Sequence, residues 1–182
     1  MTTDDPRDEI IDHLPSMRAF AISLTRNGSV ADDIVQDTVV KAWSNIDKFT
    51  PGTNMRAWLF TILRNTYYSM HRKRKREVPD IDGKYAAQLS VKPDHDGRLA
   101  LTDFNVAFAR LTSEQREALV LVGASGFSYE EAAEMCGCAV GTIKSRANRG
   151  RRRLAELLDL EDGETVIPDD ATTLVVINSS PA

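Results

Sequence analysis

The chain has 182 residues, 42% of them hydrophobic and 27% charged, with a formal net charge of −4. These are ordinary values for one or two small globular domains, each able to bury a modest core. They exclude a uniformly basic coat, and no apolar run approaches the roughly 18 residues of a membrane span. The acidic start, Met-Thr-Thr-Asp-Asp, lacks the basic-then-apolar order of a secretion signal. A cytoplasmic chain without a membrane partner is expected. Cys136 and Cys138 are too close together to staple a fold, and no disulfide is expected.

Residues 8–27 predict the first helix. Ile10, Ile11, Leu14, Met17, Phe20, Ala21 and Leu24 recur at steps of three and four, and Gly28-Ser29 ends the pattern. A second helix is expected from Val30 to about Asn45. Ala31, Ile34, Val35, Thr38 and Ala42 point one way, and Asp33, Gln36, Asp37, Val40 and Lys41 the other. A valine in that polar stripe is a small sign of a protein interface. Phe49 to Asn54, with Pro51 and Gly52, reads as a turn.

A third helix is expected from Met55 to Arg76. Met55, Leu59, Ile62, Leu63, Thr66 and Met70 form its core face. Phe60, Arg64, Tyr68, His71 and Arg72 oppose them, flanked by Trp58, Asn65 and Tyr67. The helix ends in Arg72-Lys73-Arg74-Lys75-Arg76. Exposed aromatics interleaved with bases suit the stacking of unpaired bases under an electrostatic grip.

The pattern dissolves between Glu77 and Gly97, a stretch with Pro79, Gly83 and Pro93 that reads as a flexible linker. A second apolar-periodic unit runs from Leu99 to Leu160. Within it Ser128 is followed three residues on by Glu131, the pattern of a capping box. Ala133, Gly137 and Ile143 then have the order a helix-turn-helix needs: a small contact residue, a glycine turn and a β-branched residue packing back. The helix after Gly141-Thr142 directs Lys144, Ser145, Arg146, Asn148, Arg149, Arg152 and Arg153 outward, which suits insertion into a major groove. The two cysteines fall in the turn and read as small packing residues; one C-x-C pair without further ligands is a weak metal signal. The tail from Glu161 is acidic, and its run Leu174-Val175-Val176-Ile177 is read as part of a frayed terminus.

The expected fold is all-α, with two small helical domains. Their spans are residues 8–76 and 99–160, joined by a linker at 77–98 and followed by a tail at 161–182. Charge follows this division. Residues 51–76 hold seven bases and no acid, residues 139–153 hold six bases and no acid, and the stretches between and around them are acidic. That is a bipartite footprint for a polyanion, with acidic surfaces left for another partner. No catalytic constellation is in sight, and neither a metal nor a cofactor is expected.

Three segments carry a resemblance. Ala31-Asp-Asp-Ile-Val-Gln-Asp-Thr-Val-Val-Lys-Ala-Trp43, Met55-Arg-Ala-Trp-Leu-Phe-Thr-Ile-Leu-Arg-Asn65 and Val140-Gly-Thr-Ile-Lys-Ser-Arg146 resemble, in order, signatures of the extracytoplasmic-function (ECF) group of sigma-70-type sigma factors. Gly123 to Cys138 is similar to the EcfG type, the general-stress sigma factors of alphaproteobacteria. The resemblance implies a sigma region 2 bundle and a sigma region 4 helix-turn-helix. It implies that Asp33, Gln36, Asp37, Val40 and Lys41 dock on core RNA polymerase. Asn54, Trp58, Arg64, Asn65, Tyr68, Arg72 and Lys73 would then melt and read the promoter −10 element. Thr142, Lys144, Ser145, Arg146, Arg149 and Arg153 would read the −35 element. The family often has an aromatic where this chain has Asn148, so that position is not carried over. A NepR-type anti-sigma partner, titrated by a PhyR-type mimic, is implied as well. Two rivals remain at this stage. One is a stand-alone dimeric helix-turn-helix activator, which leaves the first basic block unexplained. The other is a sigma-like decoy, which has no use for the basic residues this chain keeps.

Overall fold

The computed structural model describes residues 5–77 and 97–159, and among them every regular element is helical. They divide into two units, separated between Leu89 and Ser90.

The first unit begins with α1 (Pro6–Asp12), capped by the Asp5 carboxylate, which accepts from the Arg7 amide at 3.0 Å. The expected single helix over 8–27 is two helices. Pro15 has no N–H to continue the ladder, so α1 stops and α2 (Leu14–Thr25) starts with Pro15 in its first turn. The break resets the helical phase. Ile10 is buried while Ile11 is 62% exposed, against the expectation that both face the core.

Gly28 does not end this element. The left-handed residue after α2 is Arg26, at φ +56. Asn27 then caps α3 (Gly28–Ser44), its side-chain oxygen accepting from the Val30 amide at 3.0 Å. Ala31, Ile34, Thr38 and Ala42 form the buried stripe of α3. A 3₁₀ turn at Ile46–Lys48 leads to a buried Phe49 and a turn through Gly52, whose φ of +84 is one that glycine adopts without strain. Asn54 caps α4 (Met55–Glu77) by accepting from the Ala57 amide at 3.0 Å.

Helices α2, α3 and α4 pack pairwise into a bundle, with α1 against α2 and α4. Met17, Phe20, Leu24, Ile34, Leu59, Phe60 and Leu63 fill it. Each such side chain contributes about 1.5–3 kcal/mol on burial. On the surface, Arg18 Nε donates to Asp32 at 2.7 Å and ties α2 to α3; an exposed pair of this kind contributes roughly 0–1 kcal/mol.

The second unit starts with α5 (Gly97–Ala109). The buried Arg116 guanidinium donates to the Leu111 and Ala109 carbonyls, satisfying groups left over where α5 ends. A capping box between Thr112 and Gln115 opens α6 (Ser113–Leu119), which runs into a single wide turn of π type at Val120–Ala124. The Ser128–Glu131 capping box read from the sequence is formed: Ser128 Oγ accepts from the Glu131 amide at 3.0 Å, and Glu131 Oε2 accepts from the Ser128 amide at 2.9 Å. It opens α7 (Tyr129–Cys136), and Gly137, at φ +62, turns the chain toward α8 (Val140–Leu157). Ala133 and Ile143 are buried where α7 meets α8. Gly150 is the close-approach point of α8 with α6, since a Cβ there would lie 3.0 Å from Leu119 Cδ1.

The helix ends differ slightly from the expected boundaries. Glu77 belongs to α4 and Gly97 and Arg98 to α5, so all three leave the expected linker at 77–98. The rest of that linker and the Leu174–Ile177 run lie outside the described residues.

Candidate polymerase and promoter surfaces

On α3, the buried stripe leaves Asp33, Gln36, Asp37, Val40 and Lys41 exposed on the outer side, as their spacing requires. Val40 is 64% exposed, and Trp43, one turn further on, is 52% exposed with the Arg7 guanidinium 5.5 Å from its ring centre. Trp43 was not singled out from the sequence. Its signal was there: Gln36, Val40 and Trp43 stand at i, i+4 and i+7 on one face. Lys41 also bridges to the next helix. Its ammonium turns toward α4 and donates to Thr66 Oγ1 at 3.0 Å.

On α4, the expected outward face is corrected at one position. Phe60 is fully buried and stacked on Phe20, because α4 packs against both α2 and α3 and so buries a wider arc than one stripe. The other residues fall on two faces. Trp58, Asn65 and Arg72 recur every seven residues and line a groove of about 510 Å³ whose far wall is Lys41, Asn45 and Lys48. Trp58 is half-buried with its ring 5.3 Å from that of Phe49. Arg64 and Tyr68 lie on a separate face, the guanidinium 4.6 Å from the Tyr68 ring centre. Tyr67 meets Tyr68 edge-on at 5.0 Å. Arg72, Lys73 and Arg74 are exposed on the last described turns. Asn54 is exposed at the helix start, where its side-chain oxygen serves as the cap.

On α8, Ile143, Ala147, Gly150 and Leu154 form the buried stripe, and the cations stand outside it. Lys144 lies 5.5 Å from the Tyr129 ring centre. Arg149 folds back along its own helix, donating to Ser145 Oγ at 2.6 Å. Arg151 donates to Tyr129 Oη at 3.3 Å, and Arg153 pairs with Glu156 at 3.0 Å. Arg146 is half-exposed, and its charge reaches Glu114 at the start of α6. The Glu114 carboxyl is held below its ordinary value, first by a hydrogen bond from its own backbone amide, then by the Ser113 and Thr112 side chains and the Arg146 charge, with burial opposing. Thr142 is half-buried in the first turn. Cys136 is buried on α7 and Cys138 is half-buried behind Gly137.

Each unit thus offers a helix with a basic, hydrogen-bonding outer face. The family described as Sigma-70 region 2 matches residues 10–77, and that described as Sigma-70, region 4 matches residues 103–154. The chain belongs to the sigma-70 family of RNA polymerase sigma factors, in its ECF group. It is 55% identical to the ECF RNA polymerase sigma factor EcfG of Rhodopseudomonas palustris, over 96% of either chain. It is 36% identical to the ECF RNA polymerase sigma factor SigC of Mycobacterium tuberculosis, over 84% of this chain and 78% of that one. Among solved structures it is similar to the sigma factor RpoE from Bartonella quintana, determined in complex with the anti-sigma factor NepR. That match has 54% identity and a TM-score of 0.76, and covers 85% of this chain and 96% of the other. No helix among the described residues is long and apolar enough to cross a membrane.

Proposed function

We propose that this chain acts in the cytoplasm, directing core RNA polymerase to promoters of general-stress genes. Residues 8–76 form the polymerase-docking and −10-reading domain, and residues 99–160 the −35-reading domain. The outer face of α3, with Asp33, Gln36, Asp37, Val40 and Lys41, docks on polymerase. On α4, Asn54, Trp58, Arg64, Asn65, Tyr68, Arg72 and Lys73 capture the melted −10 strand, where stacking on aromatics offsets the cost of unstacking the duplex. On α8, Thr142, Lys144, Ser145, Arg146, Arg149 and Arg153 meet the −35 duplex, with arginine and lysine donating to guanine edges and phosphates. A NepR-type anti-sigma factor, like the one bound by the Bartonella protein, holds the chain inactive until a signal releases it.

The observation that carries this reading is the placement of two basic blocks on exposed helix faces of two separate units, in a chain of net charge −4. Such a chain binds DNA weakly alone and counts mainly once polymerase holds both faces over a promoter. Run-off transcription reconstituted with core polymerase and a promoter library tests it. Defined start sites behind two spaced sequence elements are expected. A free dimer that binds DNA without affinity for core polymerase would replace the reading with a stand-alone activator. Anti-sigma binding without any DNA or polymerase affinity would replace it with a decoy.

A further inference from the structure

We infer that the acidic tail of this chain, residues 160–182, docks on the basic face of α8 in the free protein and masks it from DNA. The inference rests on the DNA-facing role proposed above for α8 and gives the same face a second, intramolecular occupant.

The face holds its cations in place without neutralising most of them. Residues 139–153 contain six bases and no acid. Lys144 lies 5.5 Å from the Tyr129 ring centre, and Arg149 donates to Ser145 Oγ at 2.6 Å. Arg151 donates to Tyr129 Oη at 3.3 Å and to Asn148 Oδ1 at 3.4 Å. These partners are neutral, and a guanidinium or ammonium keeps further donors for an anion beside them. Arg152 is exposed next to them. Arg153 already pairs with a carboxylate, that of Glu156 at 3.0 Å, so the C-terminal end of the face is one that accepts acids.

The tail is complementary in charge and begins in the right place. Residues 160–182 hold five acids and no base, and all five acids lie between Glu161 and Asp170. Asp159, just after α8, has φ +53. A left-handed residue at a helix end turns the chain off the helix axis, so the tail sets out across α8 and not onward from it. Lys144 to Arg153 spans about 14 Å along the helix, and ten extended residues reach about 33 Å. The acidic stretch is long enough to run back over the whole cationic face. Attachment a few residues away sets an effective concentration on the order of millimolar, so contacts too weak to hold a separate peptide are occupied. Exposed charge pairs are individually weak and are screened by salt. That strength suits a mask. It competes with nonspecific duplex, whose Kd is roughly 10⁻⁴–10⁻⁶ M, and yields to promoter DNA that polymerase holds against α8.

The test compares the full wild-type chain with a full chain carrying Glu161→Gln, Asp162→Asn, Glu164→Gln, Asp169→Asn and Asp170→Asn. All five positions lie beyond α8, so every described helix keeps its sequence. Amide spectra of the two chains at low salt are expected to differ, outside the tail, at residues 144–153, and the differences are expected to vanish above about 0.5 M salt. A nonspecific duplex is expected to bind the neutralised chain about 3- to 30-fold more tightly than wild type at low salt, with the two converging as salt rises. Tighter duplex binding without shifts on α8 would follow from net charge alone and would overturn the inference. So would shifts centred on another helix, which would seat the tail there. A loss of core polymerase affinity in the neutralised chain, with α8 silent, would assign the tail to polymerase instead. The spectra contain no DNA, so they judge the tail contact apart from promoter reading. If wild-type holoenzyme fails to read a promoter, the role of α8 fails and the shifts on α8 still decide the contact.

Discussion

The rings of Phe20 and Phe60 lie 4.9 Å apart between centroids and within 10° of parallel, joining α2 to α4 at the centre of the first unit. A phenylalanine among arginines and tyrosines on a basic helix is thereby a core residue. Phe60→Ala is expected to cost about 3–5 kcal/mol of stability. Phe60→Leu keeps most of the volume and is expected to leave promoter selectivity unchanged while lowering the melting temperature. Thermal unfolding and run-off transcription of both variants check this. A Phe60→Leu chain with wild-type stability and altered −10 preference would place the ring on DNA instead.

Two arginines of α8, Arg146 and Arg149, define a second test. Arg146→Ala together with Arg149→Ala is expected to abolish promoter-specific transcription while leaving core polymerase affinity intact, as measured by pull-down and run-off assays on the same preparations. Neither side chain is buried, so the fold should survive. Loss of polymerase binding in this variant would end the division of labour between the units.

The α3 face makes the converse prediction. Asp37 is exposed one turn before Val40 and Trp43, so Asp37→Arg reverses a charge beside an exposed apolar surface without touching the core. Core affinity is expected to fall at least tenfold. Binding of the anti-sigma partner, measured alongside, reports whether the surface remains folded. Unchanged core affinity would refute the docking assignment.

Glu114 links stability to acidity. Its folded-state value lies below the ordinary 4.5, so it stabilises the fold above that pH and loses the contribution as pH falls through the depressed value. Glu114→Gln is expected to flatten the acid limb of the stability curve below about pH 4.5, with chemical unfolding at several pH values as the measurement. An unaltered acid limb would show that the carboxylate is not held as described.

Much of this fold is legible in the sequence because its signals are local. The Ser128–Glu131 box, the left-handed Gly137 and the buried Ala133 and Ile143 each lie within one or two turns of the feature they create. What the sequence hides is set by packing across helices. Pro15 is as compatible with a first turn as with a break, and only the phase shift between Ile10 and Ile11 shows which occurred. Phe60 is buried because two helices cover α4, a fact absent from the periodicity of α4 itself. The α3–α4 groove pairs Lys41 with Thr66 across 25 residues, a distance at which no motif spacing speaks. The candidate residues on α8 were legible as a set. The bonds that Arg149 makes to Ser145 and Arg153 to Glu156 were not.

Both capping boxes of the second unit belong to helices that support α8, while α8 itself starts at Ala139, which offers no side-chain oxygen to its first amides. The supporting helices are fastened at their entrances by side-chain caps and the basic one is not. Amide exchange in the free chain should therefore be faster at Gly141 than at the capped third positions of α6 and α7. Ala139→Ser, at a backbone geometry already suited to capping (φ −69, ψ 148), should slow it and add about 1 kcal/mol. The uncapped first turn is slack in the helix that carries the second basic block. Removing it offers a handle for preparing a more rigid chain for structural work.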